Sequence, residues 1–202
     1  MKKVLVGIIF LIVILGMTSC KEPTNEEILN GLKKSIDSFE SYESVSKVIV
    51  KSNKGETSYK FNETYIKPDK IKLEIIEPKE SLGCIIIYDG NKIFLKHPSI
   101  NQTISMDNIK SLDKSFFIGN FYENLSLCEN PHISTENIED KEYITLTINL
   151  PNQTEYRYKQ KIWLNKEDFV PYKLNLLDKD GMVNTEVYYE KFKYNKVLDE
   201  DI

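Results

Sequence analysis

Nucleophilic or metal chemistry in this 202-residue chain would have to start from three cysteines and two histidines. A metal site needs several such side chains at short, regular spacing, and Cys84, Cys128, His97 and His132 are scattered singly. His97 precedes Pro98 at the end of an apolar run and His132 follows Pro131 in a polar one. Neither has a patterned acidic or thiol partner, so both read as surface residues. The acidic run ENIEDKE (136–142) has the charge to hold a cation but not the spacing of a calcium loop. The run DKDG (178–181) lacks the distal Glu of an EF-hand and reads as a hairpin turn. There is no Gly-x-Ser-x-Gly elbow, no His-Glu-x-x-His and no glycine-rich phosphate loop. These patterns point to a non-enzymatic protein with no metal and no cofactor. A Cys84–Cys128 disulfide is permitted outside the membrane. Cys84 sits in the apolar run CIII, however, where a free thiol packs as a small hydrophobe, so both states stay open.

Cys20 is different, because chemistry would be done to it rather than by it. Lys2 and Lys3 precede an apolar run, Val4–Met17, which ends in small residues and then Cys20. Fourteen helical residues span about 21 Å, short of a hydrocarbon core of about 30 Å, which favours an export signal over a membrane span. The stretch MTSC (17–20) resembles the bacterial lipobox, with Met17 where Leu is usual. On this reading residues 1–19 are a cleaved lipoprotein signal peptide, Cys20 carries a covalent diacylglycerol, residues 20–23 are the lipidated tether and residues 24–202 are one domain. Two acyl chains at about 0.8 kcal/mol per buried CH₂ give stable anchoring. The expected location is the outer face of the cell membrane.

Composition narrows the partners. Formal net charge is −4 and becomes −6 once Lys2 and Lys3 are removed. An acidic chain with scattered lysines is a poor match for nucleic acid, whose phosphates demand a basic face. Lysine outnumbers arginine 26 to 1 and alanine is absent, the codon signature of an AT-rich genome such as that of a low-GC Gram-positive bacterium.

The elements follow from periodicity. Thr24 lies three residues before Glu27, a capping box, and Ile28, Leu29, Leu32, Ile36 and Phe39 follow at helical spacing. Beyond residue 42 the period becomes two: Tyr59, Phe61 and Tyr65 share a face, as do Ile71, Leu73 and Ile75, with Lys70, Lys72 and Glu74 opposite. IIIYDGNKIFL (85–95) is a hairpin about Asp89-Gly90. Further strands lie in EYITLTINL, TEYRYKQKIWL, PYKLNLL and MVNTEVYYEKFKYN, with DKDG joining the last two. Between the groups, residues 106–127 read as a helix capped near Asp107, with Ile109, Leu112 and Phe116 on one face and Gly119 ending or bending it. The fold class is therefore α+β: a curved antiparallel sheet, an open half-barrel, covered by helices. Aromatic residues make up 11% of the chain. Those on the strands, with the apolar positions Ile71, Leu73, Ile75, Ile86, Tyr88 and Trp163, either fill the core or line an apolar cleft.

Several segments carry a resemblance. PDKIKLEIIEP (68–78), IIIYDGNKIFLKHPSINQ (85–102) and KIWLNKEDFVPYKLNLLDKDGMVNTEVYYEKFKYN (161–195) are similar, in order and spacing, to strands of the LolA-like lipoprotein family. The resemblance covers roughly residues 25–202 and implies an incomplete barrel with a concave apolar face. A tether at Cys20 argues against the family's soluble shuttle role. Among small anchored members the chain resembles the GerS-type germination lipoproteins of spore-forming clostridia. That resemblance implies a non-catalytic protein partner and activator of a spore-cortex peptidoglycan amidase of the CwlD type, which prepares muramic-δ-lactam. It also implies a place on a forespore membrane facing the cortex. The family's carrier members imply the other reading, a lipid- or lipoprotein-binding receptor with an acyl ligand.

Overall fold

The computed structural model of the protein describes residues 23–100, 102–107 and 113–195. Cys20 and the signal segment lie outside them, as do Ile109 and Leu112. The chain divides into residues 1–34 and 35–202. Helix α1 (Asn25–Ser38) begins in the first unit, where the capping box forms: Thr24 N–H donates to Glu27 Oε2 at 2.7 Å and Glu27 N–H to Thr24 Oγ1 at 3.2 Å. Ile28 and Leu32 are buried, and Phe39, also buried, stands one residue past the helix.

The second unit is an open antiparallel sheet of eleven strands. In chain order they are β1 (Ser41–Ser52), β2 (Gly55–Ile66), β3 (Lys70–Glu77), β4 (Ile85–Tyr88), β5 (Lys92–Lys96), β6 (Thr103–Asp107), β7 (His132–Ile138), β8 (Lys141–Asn149), β9 (Lys159–Asn165), β10 (Pro171–Leu177) and β11 (Val183–Tyr194). Their spatial order is β6-β5-β4-β3-β2-β1-β11-β10-β9-β8-β7. The chain starts in the middle, meanders out to one edge, crosses to the other and meanders back until β11 pairs with β1. The crossing carries helix α2 (Ile118–Leu127) over one face, called inner below. Register shifts between β1 and β11, β2 and β3, β9 and β10, and β10 and β11 mark bulges, which bend and twist a sheet.

Turn chemistry explains the hairpins. Asp89 Oδ1 accepts from Asn91 and Lys92 N–H at 2.8 and 2.7 Å, and Gly90 takes φ +99°. Asp178 Oδ1 does the same for Asp180 and Met182 at 2.9 and 2.8 Å. The alternating faces also form as read, with Ile71, Leu73 and Ile75 buried.

The helix expected from Asp107 does not start there. Residues 103–107 are strand β6, Phe116 sits in a turn, and the helix begins only at Ile118 behind Phe117. Gly119 neither ends nor bends α2; it is the second helical residue. Its lack of a side chain admits the Tyr65 ring, since a Cβ there would lie 2.2 Å from Tyr65 Cζ. Cys84 is buried and Cys128 half-buried, and both are free thiols.

At the centre, Phe39 stacks on Tyr42 and Tyr65 with ring centroids 6.0 and 5.7 Å away, and meets Tyr122 of α2 edge-on at 5.7 Å. Such contacts add to the area each ring buries. Tyr65 is also held by its hydroxyl, which donates to Pro68 O at 2.6 Å, so the ring cannot swing away from a new methyl group. Gly119→Ala should destabilise the protein by about 1–3 kcal/mol in urea unfolding, despite the better helix propensity of Ala. An unchanged or higher midpoint would show that α2 does not seat on Tyr65.

Candidate binding face

The residues suited to catalysis are dispersed or already engaged. His97 Nδ1 accepts a hydrogen bond from Ser99 N–H at 3.1 Å, and His132 is exposed at the start of β7. The acidic run 136–142 is consumed by structure. Glu136 accepts from Lys161 Nζ at 2.6 Å and from Trp163 Nε1 at 2.8 Å, Glu142 pairs with Lys166 at 2.7 Å, and Glu139 and Asp140 make the β7–β8 turn at positive φ. Among the described residues no three His, Cys, Asp or Glu side chains are grouped to hold a metal ion, and no helix is long and apolar enough to cross a membrane.

Five of the six apolar positions singled out from sequence share one surface. Register places Ile71 opposite Tyr88 and Leu73 opposite Ile86, then Tyr88 opposite Ile93 and Ile86 opposite Leu95, and last Ile93 opposite Met106 and Leu95 opposite Ile104. Residues directly opposite in an antiparallel ladder share a face, and this row continues from Tyr65, beside α2, so all of it is inner face. Ile75 follows two residues beyond Leu73. Cover thins toward the edge: Ile71, Leu73, Ile75, Tyr88 and Ile93 are buried, Ile86 and Leu95 half-buried, while Met106 and Ile104 are 40% and 52% exposed. The row thus runs from buried positions near Tyr65 to exposed ones on β6. Cys84 Sγ belongs to the buried end.

Trp163 is the sixth, and it lies on the opposite face. Ile162 and Leu164 point inward with Leu146 and Leu174, so Trp163, between them, points out beside Lys173 and Thr145. Lys161 and Lys173 place their ammonium groups 4.7 and 5.4 Å from its ring centroid, a pair of cation–π contacts. Glu136, held by Lys161 and Trp163, has its carboxyl below the usual range.

The residue that sequence reading passed over is Glu63. It lies on the inner face between Phe61 and Tyr65, is 3% exposed, and accepts hydrogen bonds from the Tyr42 hydroxyl and the Ser46 hydroxyl. No cation is paired with it among the described residues. Burial pushes its carboxyl up to about 7, against the pull of those two hydroxyls. The signal was present: Glu63 has the same parity as Tyr59, Phe61 and Tyr65.

Each of four clefts lined by described residues holds about 200–290 Å³. Sites for drug-sized ligands usually enclose about 300–1,000 Å³. The most apolar of the four lies between Phe39, Tyr65, Lys67, Gly119 and Tyr122.

A family model described as "Sporulation protein YdcC-like" matches residues 1–202. The sporulation protein YdcC of Bacillus subtilis (strain 168) is 22% identical over 196 residues, which are 95% of this chain and 56% of that protein. The chain therefore spans just over half the length of that relative. Among solved structures, the lipoprotein in the complex of the CwlD amidase from Clostridioides difficile with GerS is 30% identical, with a TM-score of 0.50, covering 88% of this chain and 100% of that one. A LolA superfamily protein from Nitrosomonas europaea is 16% identical with a TM-score of 0.44, covering 86% of this chain and 96% of that chain.

The buried carboxyl gives the inner face a measurable signature. An unfolded Glu63 ionises near its ordinary value of 4.5 and the folded one near 7, so between those pH values folding takes up a proton. Its contribution is complete below the lower value and is lost as pH rises through the upper one, on the order of 3 kcal/mol in all. Urea midpoints from pH 4.5 to 7.5 should therefore fall more steeply for the natural protein than for Glu63→Gln. Parallel profiles would mean that Glu63 is ionised in the fold.

Proposed function

We propose, for a chain that belongs to the YdcC-like sporulation protein family, the role of a lipid-anchored, non-catalytic accessory that binds a cell-wall amidase at the outer face of a membrane. One observation carries the reading: the likeness to the GerS lipoprotein, found in complex with the CwlD amidase, runs along that lipoprotein's whole length at 30% identity. In this role the zinc or other hydrolytic chemistry belongs to the partner, and this chain needs no cofactor beyond the diacylglycerol on Cys20. Only three residues separate Cys20 from the capped start of α1 at Thr24, which makes the tether short. In sporulating cells that membrane is the forespore membrane facing the cortex.

The docking surface under this proposal is the β6 edge. Ile104 and Met106 extend the inner apolar row to solvent, and among the described residues β6 is paired on one side only, at the end of the sheet. A partner strand added there gains main-chain hydrogen bonds and covers both side chains at once. The same uncovered row supports a second reading, a receptor for an acyl chain, although clefts of about 200–290 Å³ leave little enclosed room for one.

Two outcomes follow. Cys20→Ala should move the protein from the membrane to the soluble fraction of sporulating cells; retention in the membrane would remove the anchor. The pair Ile104→Lys and Met106→Lys, at exposed positions, should each change stability by no more than about 0.5 kcal/mol yet abolish co-purification of the amidase. An amidase yield equal to that of the natural chain would overturn the β6 docking surface, and no amidase with the natural chain would overturn the role itself. An acyl mass on the natural chain in native mass spectrometry, lost in the double variant, would favour the second reading.

A further inference from the structure

The chain's one arginine, Arg157, lies between β8 and β9. Arg157 Nη1 donates to Asp113 Oδ1 at 2.8 Å, and the two side chains are partly exposed. This ion pair lines two clefts at once, one of about 200 Å³ and one of about 270 Å³. Either alone falls below the usual range for a small-molecule site, and the shared Asp113–Arg157 pair makes them two arms about one ion pair.

The arms differ in chemistry. The first is lined by side-chain amides: Asn120, Asn124 and Asn152. Asn124 is 7% exposed, and its Nδ2 donates to Asn120 Oδ1 at 3.1 Å and to Gln160 Oε1 at 3.0 Å. Asn124 lines this arm, and its amide carries an acceptor oxygen beside those donors. The second arm holds Tyr156, 74% exposed, with Val50 and Leu176. The groove is also built in advance. Leu150 N–H donates to Tyr158 O at 3.0 Å, Thr154 N–H to Arg157 O at 2.8 Å, and Tyr158 N–H to Leu177 O at 2.8 Å, while Asn184 Nδ2 donates to Tyr156 O. On the other wall, Gln160 Nε2 donates to Ser115 O at 2.6 Å and Ser115 N–H to Asp113 Oδ1 at 3.1 Å.

Side-chain amides suit neutral hydroxyl and acetamido groups, which need a donor and an acceptor side by side. The Arg157 guanidinium spends one bond on Asp113 and keeps further N–H donors, the group that pairs best with a carboxylate. An exposed tyrosine ring offers a flat apolar platform with a polar tip. A phosphate polymer is a poor fit, because the other cation in the first arm, Lys114, is committed to Asp69 and the Tyr88 hydroxyl. We propose that this groove binds an acidic N-acetylated amino sugar of a cell-wall glycan, with Arg157 on the carboxylate, the asparagine amides on the acetamido and hydroxyl groups, and Tyr156 against the sugar ring. The inference goes beyond the partner role; the choice of a cell-wall glycan as the source of the sugar rests on that role, while the groove chemistry does not.

The full chain in detergent, titrated calorimetrically with the disaccharide N-acetylglucosaminyl-N-acetylmuramic acid, should bind it saturably and more tightly than chitobiose, which lacks the carboxylate. Arg157→Gln should weaken the acidic disaccharide about tenfold or more and erase the preference. Tyr156→Ala, at an exposed position, should weaken both sugars alike while leaving thermal unfolding unchanged. No saturable binding of either sugar at up to about 10 mM, or equal affinity in the natural chain and both variants, would overturn the proposal. Because no amidase is present in the titration, this result and the co-purification result can fail independently.

Discussion

The ladder between β1 and β11 is the constraint from which the rest of the fold follows. It joins the first strand of the sheet to the last, from Tyr42 opposite Tyr194 to Val50 opposite Thr185. Once the two ends of the chain meet in the middle, both edges are made of internal strands, β6 and β7, and one connection has to traverse the whole sheet. Helix α2, within that connection, lies over one face, so the face it covers becomes the core. Gly119 lets it come down onto Tyr65, and Tyr122 reaches the β1–β11 seam through its hydroxyl contact with Tyr194. The aromatic cluster of Phe39, Tyr42, Tyr65, Phe192 and Tyr194 is the packing of that seam, with Tyr42 and Phe192 centroids only 4.8 Å apart. Long-range ladders of this kind close only after much of the chain is ordered, which makes the seam a late and expensive contact to form.

The two faces are stabilised by different means. Inside, apolar packing dominates, and the few polar groups answer one another: Glu63 with Tyr42 and Ser46, Gln160 with Asn124 and the Ser115 carbonyl. Outside, on the strands from β7 to β1, a lattice of charge and aromatic rings stands in for a second layer. Glu186 accepts from Lys173 and Lys51 and from the Tyr188 hydroxyl, and although burial pushes its carboxyl up, these bonds bring it down to about 2. Lys173 lies 4.8 Å from the Tyr188 ring centroid and also faces Trp163, so a single ammonium links two strands' aromatics. Isolated surface pairs contribute little, but groups half sheltered by rings lose less to solvent. Asn175 Oδ1, buried in the same face, has no partner among the described residues.

How far this could be seen in the sequence depended on parity. Strands with strict alternation, such as KIKLEI in β3, show their faces directly, and turns marked by Asp-Gly show their hairpins. Runs without alternation do not: CIII leaves Ile86 undecided between faces, and KIWL sets three apolar residues in a row, so that Trp163 could be assigned inward with Ile162 and Leu164. Residues 106–127 read as one long helix because apolar spacing there is compatible with it, while the competing fact, that Thr103–Asp107 pairs with β5, is a tertiary contact. Glu63 was hidden for the opposite reason. Its parity was plain, but a carboxylate is ordinarily taken out of an apolar face on grounds of cost, and only the structure shows the hydroxyls that accept it there.

The edges complete the argument about use. Open sheets are normally protected at their edges by charge, proline or brevity. At β7 the protection is visible: Glu136 is tied to Lys161 and Trp163, and the strand starts beside Pro131. At β6 the outward-facing residues are Thr103, Ser105 and Asp107, while Ile104 and Met106 leave the apolar row ending in solvent. An ion pair there, Lys92 with Asp107 at 3.0 Å, sits at the strand's end and is well exposed, so it screens little of the edge. The asymmetry has a physical consequence. A second strand set against β6 would bury the exposed Ile104 and Met106 side chains, whereas among the described residues β7 carries no exposed large apolar side chain. Of the two ends of this sheet, β6 is the one at which association removes exposed apolar side chains from water.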